Sequence, residues 1–398
     1  MGISRRSAAS SLVLVLVSVF GLGCSGRMVA PPADSGVVPQ EDGGVMTMDG
    51  GPEEDSGLPP EDSGLPVDSG PPDSGPPPCA CPAFPTTCTA PVADTPTFTP
   101  SGGMIEQLFD VIACADSTLE IAIYEAEWDC ISGAIEAQLA RDPDLTVRVV
   151  VDDDNCGPGS CVIDEITPAD RVTVVRDDRS GLMHHKWVIA DGARLWVGSA
   201  NWTERSFCVD HNDALVIEQP EIVARYREIF ERMATEGTFG PVAPEEPTTA
   251  GAYTVYFSPE SPTTMAPAWL TAMVAAIDGA VTEVDVLTNA WTRTEISDAL
   301  VRAHMRGVRV RAVVSHLYAD DAPAQALLAA GIDVRRDNVH DKVLVVDAEV
   351  VVTGSANWSR NAWSNNENSL WIADPGVAGI FAAEVGVVHG AARPVEAM

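Results

Sequence analysis

Basic side chains are scarce in this sequence. Its 398 residues carry 24 lysines and arginines against 58 aspartates and glutamates, a formal net charge of −34. Such a surface repels phosphate backbones, whereas proteins that bind nucleic acid without sequence preference present basic grooves. Composition therefore argues against a nuclease. Long apolar runs are missing too: Leu12–Leu22 (LVLVLVSVFGL) is too short to span a bilayer stably. After Cys79-Ala-Cys81 no second cysteine or histidine pair has zinc-finger spacing, so that pair does not read as a metal site. No acidic stretch has the alternating ligands and closing glutamate of a calcium loop. Neither a metal nor a cofactor is expected.

What is present begins with an export signal: Arg5 and Arg6, the apolar run, then Gly23 and Cys24. Gly21-Leu22-Gly23-Cys24 resembles the lipobox of bacterial lipoproteins, which implies cleavage before an acylated Cys24. The family's leucine three positions before the cysteine is Gly21 here. Several buried acyl chains, at about 0.8 kcal/mol per methylene, would hold the chain on a membrane surface in the cell envelope. Residues 25–91 repeat Asp-Ser-Gly among prolines and have too few apolar side chains to offset ordering entropy, which predicts an extended acidic tether. Beyond residue 95 there remain 46 acidic and 21 basic side chains, a balance of −25. Setting Cys24 aside leaves eight cysteines, an even number that favours disulfides in an exported chain. Cys156 and Cys161 bracket a short loop and can pair locally; the other pairings stay open.

From residue 92 the chain is a duplication, residues 92–245 and 246–398. Each half opens on a short extended segment (Phe98-Thr99-Pro100; Phe257-Ser258-Pro259) followed by an apolar-periodic helix. A buried strand comes next, ending at Trp128 or Trp291, then a second helix and another β-branched strand. This alternation predicts an α/β fold with helices on the faces of each sheet.

The polar signature closes each half. The first reads His184-His185-Lys186 with Asp191, then Gly198-Ser199-Ala200-Asn201-Trp202. The second reads His340-Asp341-Lys342 with Asp347, then Gly354-Ser355-Ala356-Asn357-Trp358, at identical spacing. Period-2 alternation puts His184 and Lys186 on one strand face, and likewise His340 and Lys342, so each pair converges on a point. The apolar residues that follow fix each pair in buried strand. Ser199, Asn201, Ser355 and Asn357 add short polar groups, a set suited to binding phosphate and stabilising charge on its oxygens.

Here the sequence resembles the phospholipase D superfamily, whose signature is histidine, one residue, lysine, four residues, aspartate, then Gly-Ser-x-Asn. The resemblance covers residues 97–390 with both signatures complete. It implies two duplicated halves, each a mixed β-sheet flanked by helices, related by a pseudo-two-fold axis with one shared cleft, and thus a monomer that is an internal pseudo-dimer. It also implies two-step catalysis without metal: His184 attacks phosphorus, and His340 protonates the leaving alcohol and then activates water. Lys186, Lys342, Asn201 and Asn357 would hold phosphoryl oxygens, while Asp191 and Asp347 read as supports of the motif.

In the family a carboxylate after Gly-Ser-x-Asn orients each histidine. The second half offers Glu367. The equivalent place in the first half is Asn212, with Asp213 beside it, which leaves the support of His184 in question. His185 reads as core or rim, and His211, His304, His316 and His389 carry no motif. Trp202 and Trp358 read as packing residues, and Asp152-Asp153-Asp154 as a solvated loop. The expected substrate is a phospholipid at a membrane surface. A secreted metal-independent endonuclease is the alternative, and a catalytically idle binding protein the remaining one.

Overall fold

The computed structural model describes residues 79–241, 246–260 and 266–397. The signal, Cys24 and most of the tether lie outside the described residues. The tether's expected end at 91 moves back, because residues 79–91 are tied to the first half. Disulfides join Cys79 to Cys208, Cys81 to Cys130 and Cys88 to Cys114. Cys156 pairs with Cys161, as its spacing suggested.

The first half contributes seven strands: β1 (Thr97–Thr99), β2 (Thr118–Ile123), β3 (Thr146–Val151), β4 (Val172–Arg176), β5 (Lys186–Ala190), β6 (Arg194–Gly198) and β7 (Asn212–Ile217). Their order is β1-β7-β6-β5-β2-β3-β4, with β2, β3 and β4 parallel and the others antiparallel. Helices α1 (Met104–Ala113), α2 (Asp129–Arg141), α3 (Glu204–Cys208) and α4 (Pro220–Ala234) accompany them.

The second half repeats the pattern. Its strands are β8 (Thr248–Ala250), β9 (Tyr253–Ser258), β10 (Glu283–Thr288), β11 (Arg309–Ser315), β12 (Asp333–Asp337), β13 (Lys342–Val346), β14 (Val350–Gly354), β15 (Glu367–Ile372) and β16 (Arg393–Pro394). The sheet runs β16-β12-β11-β10-β13-β14-β15-β9-β8, the same mixed order with an extra strand at each edge. Helices α5 (Ala268–Gly279), α6 (Thr294–Met305), α7 (Ala322–Ala329) and α8 (Pro375–Ala391) complete it. Among the described residues no helix is long and apolar enough to cross a membrane.

Strand register corrects one equivalence read from the sequence. β2 ends at Ile123 and β10 at Thr288, beyond which Ala126 pairs with Trp202 and Trp291 with Trp358. Trp291 is therefore matched by Ala126, while Trp128 is the N-cap of α2 and is matched by Arg293, the N-cap of α6.

The central strands are apolar on both faces because both faces are covered. One core lies between the first sheet and α1 and α2, another between the second sheet and α5 to α7. A third is built by both halves: Trp187, Leu215, Ile217, Tyr226 and Phe230 from the first meet Val343, Leu370, Ile372, Phe381 and Val385 from the second. This shared core fixes the halves against each other and brings the signature strands β5 and β13 together. Buried carboxylates are paired within this framework: Glu120 on β2 is bonded to Arg227 of α4 at 3.1 Å, tying that helix to the sheet, and Asp285 on β10 to Arg311 of the neighbouring β11 at 2.6 Å.

Candidate active site

His184 and His340 stand two residues before Lys-led strands β5 and β13, and all four side chains are buried. Lys186 and Lys342 are the only lysines in the chain, so an otherwise arginine-based protein reserves its ammonium groups for this place. Each ammonium donates to the carbonyl of its own histidine, Lys186 to His184 O at 2.9 Å and Lys342 to His340 O at 2.8 Å. Lys342 Nζ also lies 3.3 Å from His340 Nε2. Alternation makes this possible, since residues two apart on a strand share a face.

The backbone of each histidine is stitched to the opposite half. His184 N donates to Asn366 O at 3.0 Å, and His340 N to His211 O at 2.9 Å. Side chains cross over in the same way. His184 Nδ1 lies 2.8 Å from Glu367 Oε2, with both side chains 1% exposed. His340 Nδ1 lies 2.8 Å from Asn212 Oδ1. Glu367 thus supports the histidine of the other half, not its own, and so does Asn212. The sequence left His184 without an assured partner; the structure gives it the carboxylate and gives His340 the amide.

The orientation of Asn212 is set by its other contacts. Its Nδ2 donates to Ser206 O at 2.9 Å, and Ser199 Oγ donates to its Oδ1 at 2.9 Å. With the amide turned this way, Oδ1 can only accept, so His340 must carry a proton on Nδ1, and Nε2 is the nitrogen that can take up or release a further proton. Thr99 and Ser258, from the paired opening segments, hold these turns: Thr99 Oγ1 donates to Asp210 O at 2.7 Å, and Ser258 Oγ to Asn365 O at 3.2 Å.

Ser199 and Ser355 are not free for phosphate, contrary to expectation. Each hydroxyl has one hydrogen, and Ser199 gives it to Asn212 while accepting from Asp213 N at 3.1 Å. Ser355 likewise donates to Asn368 Oδ1 at 3.1 Å and accepts from Asn368 N at 2.9 Å. The serines brace the strand that carries the orienting residues. The glycines before them have no room for a side chain: a Cβ on Gly198 would stand 2.0 Å from Asp213 O, and one on Gly354 2.5 Å from Asn368 O. Asn201 and Asn357 are buried beside the histidine strands, each with an Oδ1 lacking a protein partner, and Asn201 Nδ2 donates to Glu125 at 2.8 Å.

Asp191 and Asp347 lie at the far end of their strands, away from the histidines. Each has positive φ, 51° and 54°, in the hairpin turn. Asp191 accepts from Asp116 N, Ser117 N, Ser117 Oγ and Thr118 N at 2.7–2.9 Å. Asp347 does the same with Val281 N, Thr282 N, Thr282 Oγ1 and Glu283 N. Burial pushes both carboxyls up, but the converging donors win and hold them below the usual range. They splice the strand before each signature to the strand carrying it.

Sequence reasoning missed Tyr124. Its ring packs edge-on to His184 at 4.7 Å, and the Lys186 ammonium sits 4.7 Å over its face. No spacing rule marked it; it follows β2 where the strand runs alongside β5. Asp152 is buried rather than solvated, and its Oδ2 accepts from Met183 N at 2.9 Å, which fixes the residue before His184. Beside it lies Asp177, whose carboxyl is pushed up to about 8 by burial and the nearby Asp152 charge. His185 is fully buried against Trp187, at 4.1 Å between rings, and burial drives its pKa far down, so it stays neutral.

Comparison with known proteins places this geometry in context. The family model described as "Cardiolipin synthase, PLD-like domain" matches residues 108–234 and 273–386. The mitochondrial cardiolipin hydrolase of Xenopus laevis is 31% identical over 122 residues, 31% of this chain and 57% of that protein. A phospholipase D of Rickettsia felis is 35% identical over 116 residues, 27% of this chain and 58% of that protein. The chain thus spans about half the length of the curated relatives it matches. The crystal structure of phosphatidylserine synthase from Haemophilus influenzae shares the fold, with a TM-score of 0.55 over 77% of this chain and 88% of that one, at 13% identity.

Proposed function

The chain belongs to the phospholipase D-like superfamily, and on that premise we propose that it is an exported phosphodiesterase that removes or exchanges phospholipid head groups through a phosphohistidine. The observation that carries the reading is the crossed pairing of His184 with Glu367 and His340 with Asn212, which holds one histidine of each half in a fixed tautomer at the junction. His184, with its Nδ1 proton held by a carboxylate, is suited to attack phosphorus through Nε2, because the positive charge it acquires is neutralised locally. His340, entering this step as an imidazolium protonated on both nitrogens, gives the Nε2 proton to the departing alcohol and is left neutral with its Nδ1 proton on Asn212. It then takes a proton on Nε2 from the water or acceptor alcohol that regenerates His184. Lys186 and Lys342, with Asn201 and Asn357, neutralise and hold the phosphoryl oxygens. The acidic surface and the anchor expected at Cys24 both favour a lipid at a membrane over a polyanion.

The test uses the whole mature chain made under oxidising conditions, because a truncation at residue 90 would sever three disulfides. It is incubated with chelator, mixed phospholipid vesicles and a primary alcohol, with plasmid DNA as a parallel substrate. Phosphatidyl-alcohol formed by the wild type and absent with His184→Ala supports the reading. Nicked plasmid beside untouched lipid replaces it with a secreted nuclease, and inactivity on both leaves a binding protein.

A further inference from the structure

The two halves differ by one exchange at equivalent positions: Asn212-Asp213 in the first stands where Glu367-Asn368 stands in the second. Successive strand residues face opposite ways, so this exchange moves a carboxylate from one face of the strand to the other. Glu367 faces His184. Asp213 instead faces away from the histidines, into the interface between the halves, where the other half presents Asp341, the residue between His340 and Lys342.

Asp213 and Asp341 are 0% and 2% exposed. Asp213 Oδ2 accepts from Thr353 Oγ1 of the second half at 2.6 Å. Asp213 Oδ1 and Asp341 Oδ1 have no N–H or O–H partner, and the two carboxyls lie within hydrogen-bonding reach of each other. Two ionised carboxylates cannot occupy one dry site at that distance. The charged groups around them are few: Lys342 on β13 and Glu384 on α8. At the pseudo-symmetric place His185 and Asn368 carry no charge, with Asn368 Nδ2 donating to Tyr226 Oη at 3.0 Å.

We propose that Asp341 is a protonated carboxylic acid that donates to an ionised Asp213 across the interface, so that the pair carries one negative charge against the buried Lys342. These are positioning residues. The hydrogen bond locks the second signature strand to the first half, and the lone charge offsets the ammonium that, on the function proposed above, binds phosphate. Burial and the mutual contact raise the Asp341 carboxyl well above the ordinary range, in agreement with this arrangement. The catalytic link rests on the phosphodiesterase reading; the proton assignment does not.

The sign of the linkage makes the proton measurable. An acid whose folded-state pKa is raised gives stability that is complete below the unfolded value of about 4 and is lost as pH rises towards the folded value. Between those limits the buried proton is released on unfolding, so it adds one proton to the pH slope, a tenfold change in the unfolding constant per pH unit. Asp341→Asn keeps the shape and the donated hydrogen bond but cannot release a proton. Denaturant unfolding of wild type and Asp341→Asn from pH 5 to 8 should show the variant gaining on the wild type by about tenfold per pH unit. The infrared band of a protonated carboxyl should shrink in Asp341→Asn at neutral pH. A constant offset between the two proteins across that range, with the band unchanged, overturns the proposal. Asp213→Asn is the second variant: an amide donating to an ionised Asp341 should abolish the same one-proton slope. If the slope persists in Asp213→Asn, the shared proton is absent. Neither readout uses activity, so failure of the lipid assay leaves this result standing, and the reverse.

Discussion

Replacing Glu367 with glutamine tests the crossed pairing most directly, because the change keeps size and removes one charge. Glu367 touches His184 through Oε2 and accepts from Asn365 Nδ2 through Oε1 at 3.3 Å, so the amide can occupy the same space. When His184 attacks phosphorus it becomes cationic, with its charge about 4 Å from the carboxylate. At an effective dielectric near 20 that interaction is worth about 4 kcal/mol. A neutral hydrogen bond from the amide oxygen returns about 1 kcal/mol of it. The net loss of about 3 kcal/mol corresponds to a fall of roughly two orders of magnitude in the rate of phosphoenzyme formation. The assay is rapid quench of a chromogenic phosphodiester, resolving formation and breakdown of the covalent intermediate. Formation should slow in Glu367→Gln while substrate affinity changes little, the pattern of an interaction made in the transition state. A loss smaller than about threefold would refute the reasoning. Slow breakdown with normal formation would make His340 the nucleophile.

Two further outcomes follow from the framework. Asp191→Asn should cost about 1–3 kcal/mol at pH 7, since a charged acceptor of four donors becomes neutral. Its lowered carboxyl gives stability that is present above the ordinary carboxylate range and lost on acidification, so chemical denaturation should show the difference shrinking as pH falls below about 4. Removing the Cys79–Cys208 bridge, which closes a separation of 129 residues, should cost up to about 5 kcal/mol. Guanidinium unfolding of the Cys79→Ser/Cys208→Ser variant checks this, and an unchanged midpoint would mean that the lead segment adds no constraint.

The sequence by itself carried the duplication, the strand–helix alternation and the two histidine–lysine pairs. Those features are local or repeated at fixed spacing: Lys186 follows His184 by two residues on a strand whatever the rest of the chain does. The even cysteine count and the tight Cys156–Cys161 loop belong to the same class. What only the tertiary structure decided depends on contacts between distant segments. Linear spacing set Glu367 nearest to the signature of its own half, and the pseudo-two-fold packing handed it to His184 instead, 183 residues away. Ser199 and Ser355 looked equally free in sequence, but the close approach of β6 to β7 and of β14 to β15 used their only hydrogens. Three disulfide pairings were undetermined because any of the cysteines in the lead segment could reach the first half. Asp213 and Asp341 meet only where two halves bury a common core, and no pattern within either half announces a contact that the interface alone creates.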